Sequence, residues 1–123
     1  MEKLPEELQL LQEWQHRLGL DDWFIVLETH CKQEALMDDA DGDVEFVEST
    51  KCAKIQVIDP DVRKGALRPF DFEEILVHEL LHCKFALLGK GEDWDNNLQL
   101  RIVHQLVDDM ARALVSAKRS NRG

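Results

Sequence analysis

Residues 70–89 carry helix punctuation at both ends, and this stretch restricts the possible folds more than any other. Asp71 has the side chain of a good N-cap, Glu74 three residues on completes a capping box, and Phe70 can staple to Ile75. Lys84 suits the negative end of a helix, and Gly89 offers a left-handed cap after Leu88. The spacing predicts a helix over 72–88. Ile75, Leu76, Val77, Leu80 and Leu81 make it apolar nearly all round, so other elements must enclose it.

The rest of the chain supplies that enclosure. Pro5 fits a first helical turn, and Leu4, Leu8, Leu11 and Leu18 fall at helical spacing before Gly19 stops the run, which predicts a helix over 5–18. The β-branched and aromatic run 23–31 reads as a strand. Residues 38–43 read as an acidic turn, and 44–48 alternate apolar with acidic as a short half-exposed strand does. Ala53, Ile55 and Val57 alternate with Lys54 and Gln56 until Pro60 ends a third strand. A last helix is expected from about Trp94 or Asp95 to Ala117, with Val103, Leu106, Val107, Met110 and Leu114 on its buried face. The expected fold is α+β: an N-terminal helix, a small three-stranded mixed sheet, then an active-site helix and a C-terminal packing helix. At 123 residues this is one domain, with a basic tail over 118–123 expected to fray.

Charge and composition exclude several partners. A formal charge of −10 opposes a nucleic-acid face, since backbone phosphates would be repelled over most of the surface. No run approaches the ~20 apolar residues that span a bilayer. The start, with Glu2, Lys3, Pro5, Glu6 and Glu7, is unlike a signal peptide. Cys31, Cys52 and Cys83 form an odd set without paired spacing, which suits a reducing cytoplasm better than a disulfide framework.

The enclosed helix bears His78-Glu79-Leu80-Leu81-His82. Residues i and i+4 project from one face, so both imidazoles can reach a single tetrahedral zinc ion. Glu79 stands beside the pair, placed to take a proton from a water that the metal has made acidic. Two histidines and a glutamate buried without a ligand would leave polar groups unsatisfied at several kcal/mol, so metal binding is the less costly account. A catalytic zinc needs a third protein ligand and one open position. His104 on the last helix is the favoured candidate, with Asp108 one turn later able to accept the free N–H of a ligand histidine. Glu92, Asp93 and Asp95 are competing third ligands, although capping and a solvated turn account for each of them.

His-Glu-Leu-Leu-His followed by His104-x-x-x-Asp108 resembles the gluzincin pattern of thermolysin-type metallopeptidases, in which the second half is Glu-x-x-x-Asp. The short length and the order of elements are more specifically similar to the minigluzincins, single-domain prokaryotic peptidases with similar short proteins in phage and prophage genomes. The resemblance covers most of the chain in layout but few positions in motif, and it departs where His104 replaces the third-ligand glutamate. It implies zinc-dependent hydrolysis of a peptide or protein substrate, with Glu79 as general base. It also implies that the strand Ala53, Lys54, Ile55, Gln56 and Val57 edges the cleft and pairs with extended substrate. The electrophile that often helps hold the oxyanion, a Tyr or His, is not evident: the chain has no tyrosine, and His30 is the one free candidate.

Other signals carry less. Asp39-x-Asp41-Gly42-Asp43 has its glycine two places too early for an EF-hand and no glutamate at the twelfth position. Glu13-x-x-His16 and Glu79-x-x-His82 suggest a di-iron bundle, which needs two further glutamate-bearing helices that the strands leave no room for. Two functions therefore stand: a zinc peptidase, and a zinc-bearing interaction module of the same fold that is silent or latent.

Overall fold

The computed structural model describes residues 5–36, 40–63, 68–85 and 98–120. Helix α1, Glu6–Arg17, is followed by strands β1, Phe24–Cys31, β2, Gly42–Val47, and β3, Cys52–Ile58; helices α2, Phe72–Lys84, and α3, Leu98–Ser120, complete it. The architecture is the α+β arrangement of one helix, a three-stranded mixed sheet and two helices.

Local chemistry sets the boundaries. Pro5 occupies the N-cap of α1, and Gly19 at φ +72° turns the chain away after Leu18. Gln15 Nε2 then donates to the carbonyls of Leu20 and Trp23, which fixes the entry into β1. At α2, the Asp71 side chain accepts from the Glu74 backbone N–H at 3.2 Å. The Glu74 carboxylate pairs with Arg68. The helix ends at Lys84 with Phe85 as its C-cap, and the predicted cap at Leu88 and Gly89 lies outside the described residues.

The strand order is β1-β3-β2, with β1 parallel and β2 antiparallel to β3. Alternation turns Ile25, Leu27, Val44, Phe46, Ala53, Ile55 and Val57 toward the helices. There they meet Leu76, Val77, Leu80 and Leu81 of α2, Leu11 and Trp14 of α1, and Val107, Ala111 and Val115 of α3.

Two expectations are corrected here. Leu106 and Met110 are 53% and 38% exposed, while Val107, Ala111, Val115 and Lys118 face the core. The buried face also carries Lys118, which has a buried partner. Glu73 on α2 accepts from Trp14 Nε1 at 2.7 Å and from the Lys118 ammonium, which also donates to Glu13 at 3.1 Å. Arg119 grips Asp71 through two bonds of 2.7 and 2.9 Å. Lys118 is therefore part of the packed interior rather than of a frayed tail. Burial pushes the Glu73 carboxyl up, but the bonds from Lys118 and Trp14 outweigh it and hold it below its ordinary value.

The second correction concerns the strand expected to receive substrate. Ala53, Lys54, Ile55 and Gln56 are paired on both sides, to Ile25–Glu28 of β1 and to Asp43–Phe46 of β2, and Val57 is paired to Gly42. The backbone of β3 is thus spent within the sheet. The edge strand on the α2 side is β2.

Candidate metal centre

Helices α2 and α3 pack against each other, and the core that they share leaves one flank of each facing a cleft. His78 and His82 reach this cleft from α2 because four residues restore the same helical face. His104 reaches it from α3, one turn before the buried Val107 and two before Ala111. The α2 imidazoles are half-buried and His104 is exposed.

The three rings form a nearly equilateral triangle. Ring centroids are 5.0 Å apart for His78 and His82, 5.2 Å for His78 and His104, and 5.1 Å for His82 and His104. One ligand nitrogen from each lies within 4.8 Å of the other two. Three imidazoles bound tetrahedrally at metal–nitrogen distances of ~2.0–2.1 Å would have centroids ~5.1–5.2 Å apart. The triangle therefore has the dimensions of a site for one ion. A set of three imidazoles also leaves a fourth position open.

The electrostatics favour neutral rings at His82 and His78. Burial, then the neighbouring His78 and His104, lowers the His82 pKa to about 4. Burial and His104 also lower that of His78, against the pull of Asp108. His78 Nδ1 lies 3.3 Å from Asp108 Oδ1, and the other oxygen of Asp108 accepts from Arg112 at 2.7 Å. An N–H donated from Nδ1 leaves Nε2 as the ligand atom of His78.

Glu79 projects beside the triangle and is only 6% exposed. Burial, and secondarily the charge of Asp43, raises its carboxyl from 4.5 to about 8. The backbone of β2 closes over it: a Cβ at Gly42 would lie 3.3 Å from Glu79 Oε2 and 2.7 Å from Ile75 Cγ2. Glycine is the residue that permits this approach.

The cleft has a volume of roughly 960 Å³ and takes one wall from β2 (Gly42, Asp43, Val44 and Phe46) and another from α3 (Arg101, His104, Asp108 and Arg112). The structure thus brings together His78, Glu79, His82, His104 and Asp108. It does not bring in Ala53, Lys54, Ile55, Gln56 or Val57, which line no part of the cleft. His30 is also elsewhere, on β1 at φ +56°, within 3.9 Å of Glu7 and 3.8 Å of Asp59. Glu92, Asp93 and Asp95 lie outside the described residues. Sequence reasoning missed Gly42, Asp43, Arg101 and Arg112. A glycine inside the acidic turn that leads into a strand was the available signal for Gly42.

No protein-family model, curated protein or solved structure matches the chain.

Proposed function

We propose that this chain is a zinc-dependent peptidase acting on peptide or protein substrates. The observation that carries the proposal is the imidazole triangle of His78, His82 and His104 with a sealed carboxyl group, Glu79, at its side. Zinc held by the three imidazoles would supply polarisation of the scissile carbonyl and a water acidic enough to attack at neutral pH.

The chain's own residues supply the rest. Glu79 takes one proton from the attacking water, the new C–O bond forms, and the carbon–nitrogen bond breaks as Glu79 returns that proton to the leaving nitrogen. Burial raises the Glu79 carboxyl in the metal-free chain, and a cation held by the three imidazoles would favour the ionised form that accepts the proton. Asp108 holds His78 in one tautomer through Nδ1. The edge strand β2, which lines the cleft, would accept an extended substrate by backbone pairing, with no particular side chain required. Three unpaired thiols, Cys31, Cys52 and Cys83, support a cytoplasmic setting.

The second reading, a silent or latent zinc-bearing module, draws on one observation: among the described residues the cleft holds no tyrosine and no histidine beyond the three of the triangle. One experiment separates the two. The purified zinc-loaded chain is incubated with a diverse peptide library, beside a chelated sample and the Glu79→Gln variant. Cleavage that disappears in both controls, while Glu79→Gln keeps one zinc per chain, supports the peptidase. Silence across the library in the presence of bound zinc supports the module.

A further inference from the structure

We propose that the cleft selects substrates bearing a carboxylate beside the scissile bond, and that Arg101 is the residue that holds it. The inference rests on the peptidase reading above and adds a substrate class to it. The chain carries a formal charge of −10, yet Arg63, Arg68, Arg101 and Arg112 all line this cleft, and among the described residues no lysine does.

Three of these arginines are already committed. Arg63 grips both oxygens of Asp41 at 2.8 and 2.9 Å, Arg68 meets Glu74 at 3.1 Å, and Arg112 bridges Asp108 and Asp109 at 2.7 Å each. Of the other carboxylates in the lining, Asp71 is held by Arg119, and Asp43 stands on the β2 wall rather than on α3. Among the described residues Arg101 makes no ion pair. It is exposed, and it precedes His104 by three residues on α3, so the two side chains stand on neighbouring positions of one helix flank. A guanidinium left unpaired a single turn from the reacting centre offers a planar fork that matches a carboxylate through two parallel bonds.

The negative surface of the chain repels an anionic peptide only weakly beyond a Debye length of ~8 Å at physiological salt, so the local contact decides the preference. Two sources share this chemistry: an aspartate or glutamate side chain, and the terminal carboxylate of the substrate. The proposal covers both, and the test tells them apart.

The zinc-loaded Glu79→Gln chain keeps bound peptides intact, so affinity can be read by fluorescence anisotropy. One set of labelled peptides moves a single glutamate through an otherwise neutral, C-terminally amidated sequence. A second set replaces that glutamate by glutamine, and a third is the glutamine set with a free C-terminus. The expected result is about tenfold tighter binding, or more, for one carboxylate-bearing set over the neutral set. Placing Arg101→Ala in the same background should abolish the difference at unchanged zinc content, and Arg101→Glu should transfer the preference to lysine-bearing peptides. Equal binding of all three sets, no binding by any, or a preference that survives Arg101→Ala overturns the inference. The parent reading fails separately, when the wild-type chain cleaves none of these peptides whatever their affinity.

Discussion

Asp108 Oδ1 lies 3.3 Å from His78 Nδ1, so a carboxylate on α3 steadies an imidazole on α2. The same carboxylate is anchored by Arg112 at 2.7 Å, and this chain of contacts sets the plane of the His78 ring before any ion arrives. Asp108→Ala should therefore keep the fold and weaken zinc binding by ~10- to 100-fold, as loss of such an orienting partner does. Competition with a chelating dye measures it. An unchanged affinity would show that His78 is held by packing alone.

The triangle makes the third ligand testable by itself. His104 is exposed and its ring touches the fold through the other two imidazoles, so His104→Ala should change thermal stability of the metal-free chain by no more than ~0.5 kcal/mol. Stoichiometric zinc should be lost, as read by metal analysis after gel filtration. Full retention would return attention to Glu92, Asp93 and Asp95.

The metal-free chain should show a pH signature of Glu79. Its carboxyl sits at about 8 when folded and has an ordinary value of 4.5, so between these limits the folded state keeps a proton that the unfolded chain has released. That contribution is fully present below 4.5 and is lost as pH rises to about 8. His82 acts in the opposite sense: its pKa is about 4 against an ordinary 6.5, so stability is lost as pH falls through that range. Urea denaturation should find stability falling from pH 6.5 to 8 in the wild type, and the fall should be much reduced in Glu79→Gln. Parallel profiles for the two proteins would exclude Glu79 as the cause.

A side chain at Gly42 should damage activity more than metal binding. A Cβ there meets Ile75 Cγ2 at 2.7 Å and Glu79 Oε2 at 3.3 Å, so Gly42→Ala must displace one or both. A cost of ~1–3 kcal/mol in stability is expected for such overpacking. Peptide cleavage should fall while zinc content holds, since none of the three imidazoles touches this contact. Equal loss of both would place the disturbance in the helix as a whole.

The buried cation should be indispensable to packing. Lys118 and Glu73 have side chains only 3% and 8% exposed, so Lys118→Met leaves the Glu73 carboxylate facing Trp14 without its ammonium partner. Arg119 still donates to Glu73 at 3.3 Å, so the loss should fall below the ~3–5 kcal/mol of a buried charge left wholly unpaired. The double variant Glu73→Gln/Lys118→Met should recover part of that loss in urea denaturation, and a strictly additive pair would deny the coupling.

Much of this was legible in the order of residues. The punctuation around Asp71 and the four-residue repeat of His78 and His82 are local signals, and they produced the helix and its two imidazoles. His104 and Asp108 were legible because they sit one turn apart, the same local rule on a second helix. What escaped depends on long-range pairing. Which of β2 and β3 lies at the edge is decided by β1 joining β3 in parallel, and no property of residues 53–57 records that choice. Lys118 escaped because a lysine is ordinarily assigned to solvent; its burial is visible only once Glu73 and Glu13 are brought to it from two other helices.

The bonds between Arg119 and Asp71 have a mechanical consequence for the imidazoles. They clamp the end of α3 to the start of α2, while His104 meets His78 and His82 fifteen residues back along α3, which is ~22 Å at the helical rise of 1.5 Å per residue. The two helices thus resemble a pair of tongs, riveted at one end and gripping at the other. The buried Lys118–Glu73 pair drives a second pin through the same end, so the grip at the imidazoles is borne by two fastenings rather than one.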